Sequence, residues 1–472
     1  MTTVPLAVPS GGLRNGLVRR QLNRYPRSAS RYGYLAIVVL TTITLYYLYY
    51  VEGAVLPLLL PSYHMSFQYF LYIIVVGNAI GAFTAFIGGL SDKIGRANLT
   101  IYGTLLVGLV QLIAVPNIHS KFLFGVAYSV ISFAEGVILV STPALMRDFS
   151  PQVGRGTAMG FWALGPTMGA LAASLVATHT LPHLGPWQDQ FIISGTVCLV
   201  VVAVSFVFLR ELSPQLRDQI MVSERERALV EARAAGIDID AALAHPYRTM
   251  LRPDLIASSL GISVFLLFYF ASVSVLTLYW VVIFGRSTPQ ANGINVWYAA
   301  VLSGALVFFG VLSDLVRVRK PFMILGAAAT IVMMVFLVLQ IDDPHVGYYS
   351  NVIQVVLLAI TIGCAYAPWM ASYTEQVESH NPALTATGLA VWGWMLRIVV
   401  AISFLVLPHV ITTSTTLVDN QGAAVTLQAV RAAVPYAPSA TGCAVKPAPA
   451  SVLAGLRATG EPGPETLGRL LA

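Results

Sequence analysis

The sequence predicts an all-α polytopic membrane protein built as two related, pseudo-symmetric bundles. Three observations predict it. The 472 residues are 57% hydrophobic and only 10% charged, against about 25% charged in a soluble domain, so the chain cannot solvate a globular surface. Eleven apolar segments are each long enough to cross about 30 Å of hydrocarbon as a helix. Two short strings recur at matching places in the two halves.

The segments lie near 34–60, 69–90, 98–116, 122–146, 156–178, 190–209, 255–284, 294–313, 321–340, 348–373 and 385–408. Six precede the long internal polar stretch at 210–254 and five follow it. That stretch opens with Ser213-Pro214, an N-cap followed by a first helical position, and reads as a surface helix ending near Gly236. Residues 1–33 form a basic arm with six arginines and no apolar core of a signal peptide. Residues 34–209 make a six-helix bundle, 210–254 a linker, 255–409 a five-span bundle, and 410–472 a polar Ala/Pro-rich tail.

Charge placement orients these spans. With the N-terminus inside, cytoplasmic segments carry twenty Lys and Arg before residue 400, and the opposite loops carry only Lys121 and Arg286. This is a strong positive-inside signal. It places the chain in the cell membrane with a cytoplasmic N-terminus and an extracytoplasmic tail. The net charge of +6 and the three scattered cysteines suggest neither a nucleic-acid partner nor a disulfide framework.

The repeat appears when Asp92 is aligned with Asp314, an offset of 222. GGLSD at 88–92 then matches GVLSD at 310–314. At an offset of 228, TAMGFWALG at 157–165 matches TATGLAVWG at 385–393 at Thr, Ala, Gly and the final Gly. Two phased matches at the same ordinal spans point to a duplicated unit.

Gly88-Gly89-Leu90-Ser91-Asp92-Lys93-Ile94-Gly95-Arg96 resembles the signature between spans two and three of the major facilitator superfamily. Asp148, followed by Arg155, is similar to that family's acidic-x6-Arg pattern at the end of span four. Gly165-Pro166-Thr167-Met168-Gly169 partly resembles its Gly-Pro motif of span five. The likeness covers roughly residues 34–409. Three features depart from the family. The usual mid-span-four arginine is absent, Ser132 standing four residues before Gly136. The second half has Pro382 and Thr385 where an acidic-x6-Arg match would fall. Eleven spans are found where the family has twelve, so a truncated or incomplete chain is expected.

The resemblance implies two bundles around a central cavity and transport by alternating access. Gly88, Asp92, Lys93, Gly95, Arg96, Asp148, Arg155 and Asp314 are then expected to form a cytoplasmic gate. Glycines allow a sharp turn, Asp92 suits the N-terminus of a neighbouring helix, and Arg96 can pair with Asp148. The competing reading is a plain topological anchor of surface pairs worth about 0–1 kcal/mol.

Ionisable residues inside spans cost about 2.5–3.5 kcal/mol each and mark function by default. Three stand out: Glu52 in span one, Glu135 in span four and Arg397 in span eleven. In the resembled fold these spans border the cavity. Arg397 is expected to bind an anionic group, most simply a carboxylate, and Glu135 or Glu52 to take up a proton. A structural Glu135–Arg397 pair is the alternative. Tyr46, Tyr47, Tyr49, Tyr50, Trp162, Trp369, Trp392 and Trp394 suit an aromatic cavity wall, although interfacial placement is the better expectation for any single one. Gly77-Asn78-Ala79-Ile80-Gly81 reads as a helix-packing GxxxG string.

The expected function is secondary active transport of a small organic solute, most simply a carboxylate taken up with protons. Its partners are then the solute, protons and the lipid bilayer, the chain acting as a monomer. Proton-driven export and a transporter-like receptor or sensor are the alternatives. No HExxH, GxSxG, metal-ligand cluster or nucleotide-binding loop is present, so neither an enzyme, a cofactor nor ATP-driven transport is expected.

Overall fold

In hydrocarbon a single chain segment satisfies its backbone N–H and C=O groups only by coiling into a helix, and the described part of each apolar segment does so. The computed structural model describes residues 20–86, 95–150, 155–213, 215–216, 249–340, 346–380 and 385–410. In chain order these hold β1 (Gln21–Leu22), α1 (Ser28–Ser62), α2 (Phe67–Phe86), α3 (Arg96–Asn117) and α4 (Lys121–Phe149). Next come α5, which is interrupted at Leu164 (Arg155–Ala163 and Gly165–Leu184), α6 (Gln188–Phe208) and β2 (Glu211–Leu212). The second half contains α7, interrupted at Leu266 (Pro253–Phe265 and Leu267–Phe284), α8 (Thr288–Val316), α9 (Lys320–Leu339), α10 (Tyr348–His380) and α11 (Thr385–Val410).

Among the described residues, nine helices are long and apolar enough to cross a membrane: all but α5 and α11. Within α11, Val391–Leu407 forms a shorter apolar stretch. The two exceptions are not peripheral. α5 packs on α1 and α8, and α11 packs on α7 and α2, so both lie where the halves meet.

The packing repeats between the halves. α2 lies on α4 as α8 lies on α10, and α3 lies on α4 as α9 lies on α10. Across the interface, α1 meets α7, and α2 meets α11 as α8 meets α5. A helix with little side-chain bulk can approach another backbone closely, and glycines mark these crossings. A Cβ at Gly169 of α5 would lie 2.4 Å from Tyr46 Cβ and 2.8 Å from Tyr47 N of α1. A Cβ at Gly363 of α10 would lie 2.6 Å from Ala305 Cβ of α8.

Two local irregularities carry buried polar contacts. α3 contains a π turn at Val110–Ala114, an insertion common at functional or strained positions. Buried Gln111 in that turn donates to Leu48 C=O at 2.5 Å and accepts from Ser194 Oγ at 2.7 Å. It thereby ties α3 to α1 and α6. The second irregularity is the parallel pairing of β1 with β2, Gln21 with Glu211 and Leu22 with Leu212. It is flanked by Arg20, which is fully buried, lies 4.0 Å over the Phe206 ring and donates to Phe206 C=O.

The polar stretch after α6 opens as its sequence suggests, with Leu216 N donating to Ser213 Oγ at 3.4 Å. The surface helix expected up to Gly236 lies outside the described residues, as do the first nineteen residues of the basic arm and the tail from 411.

Overpacking of a tight crossing costs about 1–3 kcal/mol. Gly169→Ala, which must push against the α1 backbone, is expected to lower the Tm of the purified protein. Gly160→Ala, where nothing beyond its own helix backbone lies within 4 Å, is expected not to lower it, Ala being the better helix former.

Candidate functional site

The apolar environment of a bundle interior leaves few groups able to hold charge, so the site is built from those few. Glu135 projects from α4 and Arg397 from α11. Arg397 Nη2 lies 3.8 Å from Glu135 Oε2. The carboxylate is nearly enclosed, its side chain 8% exposed, and the guanidinium is 24% exposed. The pair therefore joins the first half to the second. Its separation exceeds a hydrogen-bond length, so the ions attract each other without being locked together.

Aromatic hydroxyls surround this pair. Tyr46 and Tyr49 of α1 interact electrostatically with both Glu135 and Arg397. Tyr128 of α4 interacts with Glu135 and with Glu52. Glu52 is itself buried on α1, a turn beyond Tyr49. The Tyr49 and Tyr128 rings lie 5.6 Å apart, and each interacts with both carboxylates. Buried Ser132 Oγ, one turn from Glu135, has no hydrogen-bond partner.

The tryptophans divide differently. Trp369 is buried, stacks on Tyr373 at 5.0 Å and donates to Ser258 Oγ at 3.0 Å. It knits α10 to α7. Trp162 donates to Thr142 Oγ1 at 3.1 Å, and Trp394 is exposed. Polar groups from both halves instead line a cavity of about 30 Å³ between α1, α5, α7 and α8, with Tyr50, Thr167, Ser174, Tyr269, Asn295 and Tyr298 on its walls. It is far smaller than the about 300–1,000 Å³ of a ligand pocket, so no solute fits there in this conformation.

On the side of the bundle carrying Arg286, the halves meet closely. Asn292 Nδ2 of α8 donates to Ala54 C=O of α1 at 2.8 Å. A Cβ at Gly53 would lie only 2.2 Å from Val273 C=O of α7. At the opposite end, charges brace each half internally. Arg96 Nη1 binds Asp148 Oδ1 at 2.7 Å within the first half. Arg319 binds Asp314 at 2.5 Å and Glu375 at 2.9 Å within the second. Gly88, Asp92, Lys93 and the Arg155 side chain lie outside the described residues.

Glu211 was not singled out from the sequence, and it belongs to this end. Its Oε2 accepts from Ala97 N at 3.2 Å, placing a buried negative charge at the positive N-terminus of α3. Gly95 has φ +103°, and a Cβ there would lie 2.6 Å from Glu211 Oε1. Glycine thus supplies both the left-handed turn and the space for the carboxylate. Arg319 and Glu375 were likewise unassigned; the basic run at 317–320 was the available signal.

A family model described as Major Facilitator Superfamily matches residues 27–429. The chain belongs to that superfamily. The fold is that of a multi-pass membrane protein, and the relatives and neighbours it matches are named as transporters. It is 26% identical over 203 residues to the hexuronate transporter of Escherichia coli K12, a match covering 42% of this chain and 44% of that one. The chain thus spans less than half the length of that curated relative. Among solved structures it resembles a bacterial homolog of the human lysosomal transporter Spinster, in an inward-facing and unoccupied conformation. The TM-score is 0.63 at 14% identity over 85% of this chain and 87% of that one. It also resembles a D-xylose-proton symporter, with TM-score 0.62 and 13% identity over 84% and 97%. For XylE of E. coli in a partially occluded inward-open form the TM-score is 0.61 at 13% identity, over 89% and 100%. At these identities the likeness is one of fold.

Breaking a buried ion pair by removing one partner costs about 3–5 kcal/mol, because the other charge is stranded. Arg96→Ala takes the guanidinium away from Asp148, whose side chain is only 3% exposed. It is expected to lower Tm more than Arg96→Ala combined with Asp148→Asn, as measured by thermal unfolding of the three proteins.

Proposed function

We propose that this transporter takes up a small hydroxylated organic acid together with protons. The single observation that carries the reading is the Glu135–Arg397 pair, which spans the two halves in a site otherwise lined by tyrosines. Arg397 offers a planar, permanently charged fork to a carboxylate. When the acid binds there, Glu135 loses its counter-charge and takes a proton. The loaded carrier then holds a neutralised site on both sides, and the empty one holds the Glu135–Arg397 pair. Both forms can reorient without dragging an uncompensated charge through a low-dielectric interior. Glu52, connected to the site through Tyr49 and Tyr128, is a second proton-holding group.

Two comparisons support the substrate class. One relative is named a hexuronate transporter, a hexuronate being a sugar acid with one carboxylate and several hydroxyls. Two fold neighbours are named for xylose, one of them as a proton symporter. Positive-inside charge supports a cytoplasmic Arg96 end and a location in the cell membrane. The close contacts Asn292–Ala54 and Gly53–Val273 then lie outside, which makes this an outward-closed, inward-facing form. In this reading the signature-loop residues with Arg96, Asp148, Arg155 and Asp314 close the cytoplasmic side only in the opposite state, while in the present form the Arg96–Asp148 and Arg319–Asp314 pairs and Glu211 each brace one half. Export through the same site is a second reading, favoured by the break in α5 at Gly165-Pro166.

The test is flux into proteoliposomes under an acid-outside gradient, with glucuronate, xylose and simple carboxylates as probes. Accumulation of an acid, and not of xylose, is expected; binding without flux would favour a receptor, and drive only in the reverse direction would favour export. Arg397→Ala is expected to abolish binding of the anion. Glu135→Gln is expected to retain exchange within about threefold and to lose gradient-driven accumulation, the signature of a lost coupling step. Normal accumulation by Glu135→Gln would remove Glu135 from the coupling role.

A further inference from the structure

The GxxxG string of α2 reads as a packing device, and the crossing of α2 with α4 fits that reading in part. A Cβ at Gly136 of α4 would lie 2.5 Å from Gly81 C=O and 2.0 Å from Thr84 Oγ1, so α2 and α4 touch nearly backbone to backbone. Gly81 has a further set of neighbours. A Cβ there would lie 2.9 Å from Arg397 Nη1 and 3.3 Å from Glu135 Oε2. α2 lies against both α4 and α11, and Gly81 is the point on it where the cation of one half approaches the carboxylate of the other.

The internal repeat separates the two demands on this position. Under the offset of 222, Gly81 corresponds to Ser303 of α8. There the equivalent crossing of α8 with α10 is also close, Gly363 lying against Ala305. Ser303 is buried and its hydroxyl donates to Ala299 C=O at 2.8 Å. The crossing therefore tolerates a side chain at this register. The residue before Gly363 is Ile362 and the residue before Gly136 is Glu135, so the first-half crossing alone carries an ion pair.

We infer that Gly81 is a positioning residue, the notch through which Arg397 reaches Glu135. The inference rests on the coupling role given to that pair above. The nearest atom to the missing Cβ is the far end of a flexible side chain, not backbone. A methyl group at 81 is accommodated by retreat of the guanidinium, and a pair already 3.8 Å apart then opens. Around the notch the facing groups are Tyr46 and Tyr49 from α1, Tyr128 and Glu135 from α4, and Arg397 from α11. Among these described groups none but Glu135 carries an opposite charge for Arg397.

The experiment needs no substrate. Purified full-length protein is unfolded thermally as the natural chain, Glu135→Gln, Arg397→Gln and the double variant, and the same four are repeated with Gly81→Ala. The Tm shifts of Glu135→Gln and Arg397→Gln are expected to be non-additive with Gly81 present, as for residues in direct interaction. They are expected to become additive with Gly81→Ala, a fall of at least about fivefold in the coupling factor. Non-additivity that survives Gly81→Ala overturns this inference alone. Additivity already present with Gly81 overturns the pair, and with it the proposed function. If Gly81→Ala fails to fold in every background, packing sets the demand and the inference falls; folding restored by Glu135→Gln with Arg397→Gln supports it.

Discussion

An uncompensated charge in a low-dielectric interior is the constraint on which this molecule turns. Among the described residues, Glu52, Glu135 and Arg397 are the acidic and basic side chains sunk deep in the spans, and two of them, Glu135 and Arg397, face each other across the line where the halves meet. Neither residue can be understood within its own bundle. Glu135 belongs to α4 and needs a cation that its half does not supply there; Arg397 belongs to α11 and needs an anion. Each half carries what the other lacks, and association of the halves neutralises both. An ion pair of this kind contributes little net stability after desolvation. In the proposed cycle its worth lies in being exchangeable, since a ligand that offers Arg397 a better anion releases Glu135.

The two ends of the bundle use different physics. Near Arg286 the halves approach through glycine, carbonyl oxygen and one asparagine amide. These contacts are neutral and short-ranged, so they vanish once the helices separate. At the Arg96 end the ion pairs Arg96–Asp148 and Arg319–Asp314 each lie inside one half. Such pairs keep the loops and helix ends of a half rigid while that half moves as a body. A two-state equilibrium needs stiff units and weak seams, and the described contacts supply both.

Much of this was legible from sequence because membrane burial makes charge conspicuous. The described parts of the eleven apolar runs are helical, and the cost of sunken charge singled out Glu52, Glu135 and Arg397, two of which the fold brings together. Phased similarity of GGLSD with GVLSD anticipated the matched packing of α2 on α4 and α8 on α10. Glu211 escaped because it sits just past a span end, where a charged residue is ordinary; only Gly95, whose backbone is left-handed, hinted that something must fit beside it. Gly81 was read as packing because sequence spacing records that a helix face is small and not what lies against it. The β1–β2 pairing could not be foreseen: two residues on each side carry no periodicity, and their partners are far apart in the chain.

That short pairing has a consequence for biosynthesis. Gln21 leaves the ribosome about 190 residues before Glu211, its strand partner, and non-local contacts wait for their later member. Arg20 can settle over Phe206 only when α6 has been made and inserted. The stretch from Arg20 to Leu22 is therefore held in reserve until α6 has been threaded, and its docking marks the moment at which the described part of the first bundle is complete.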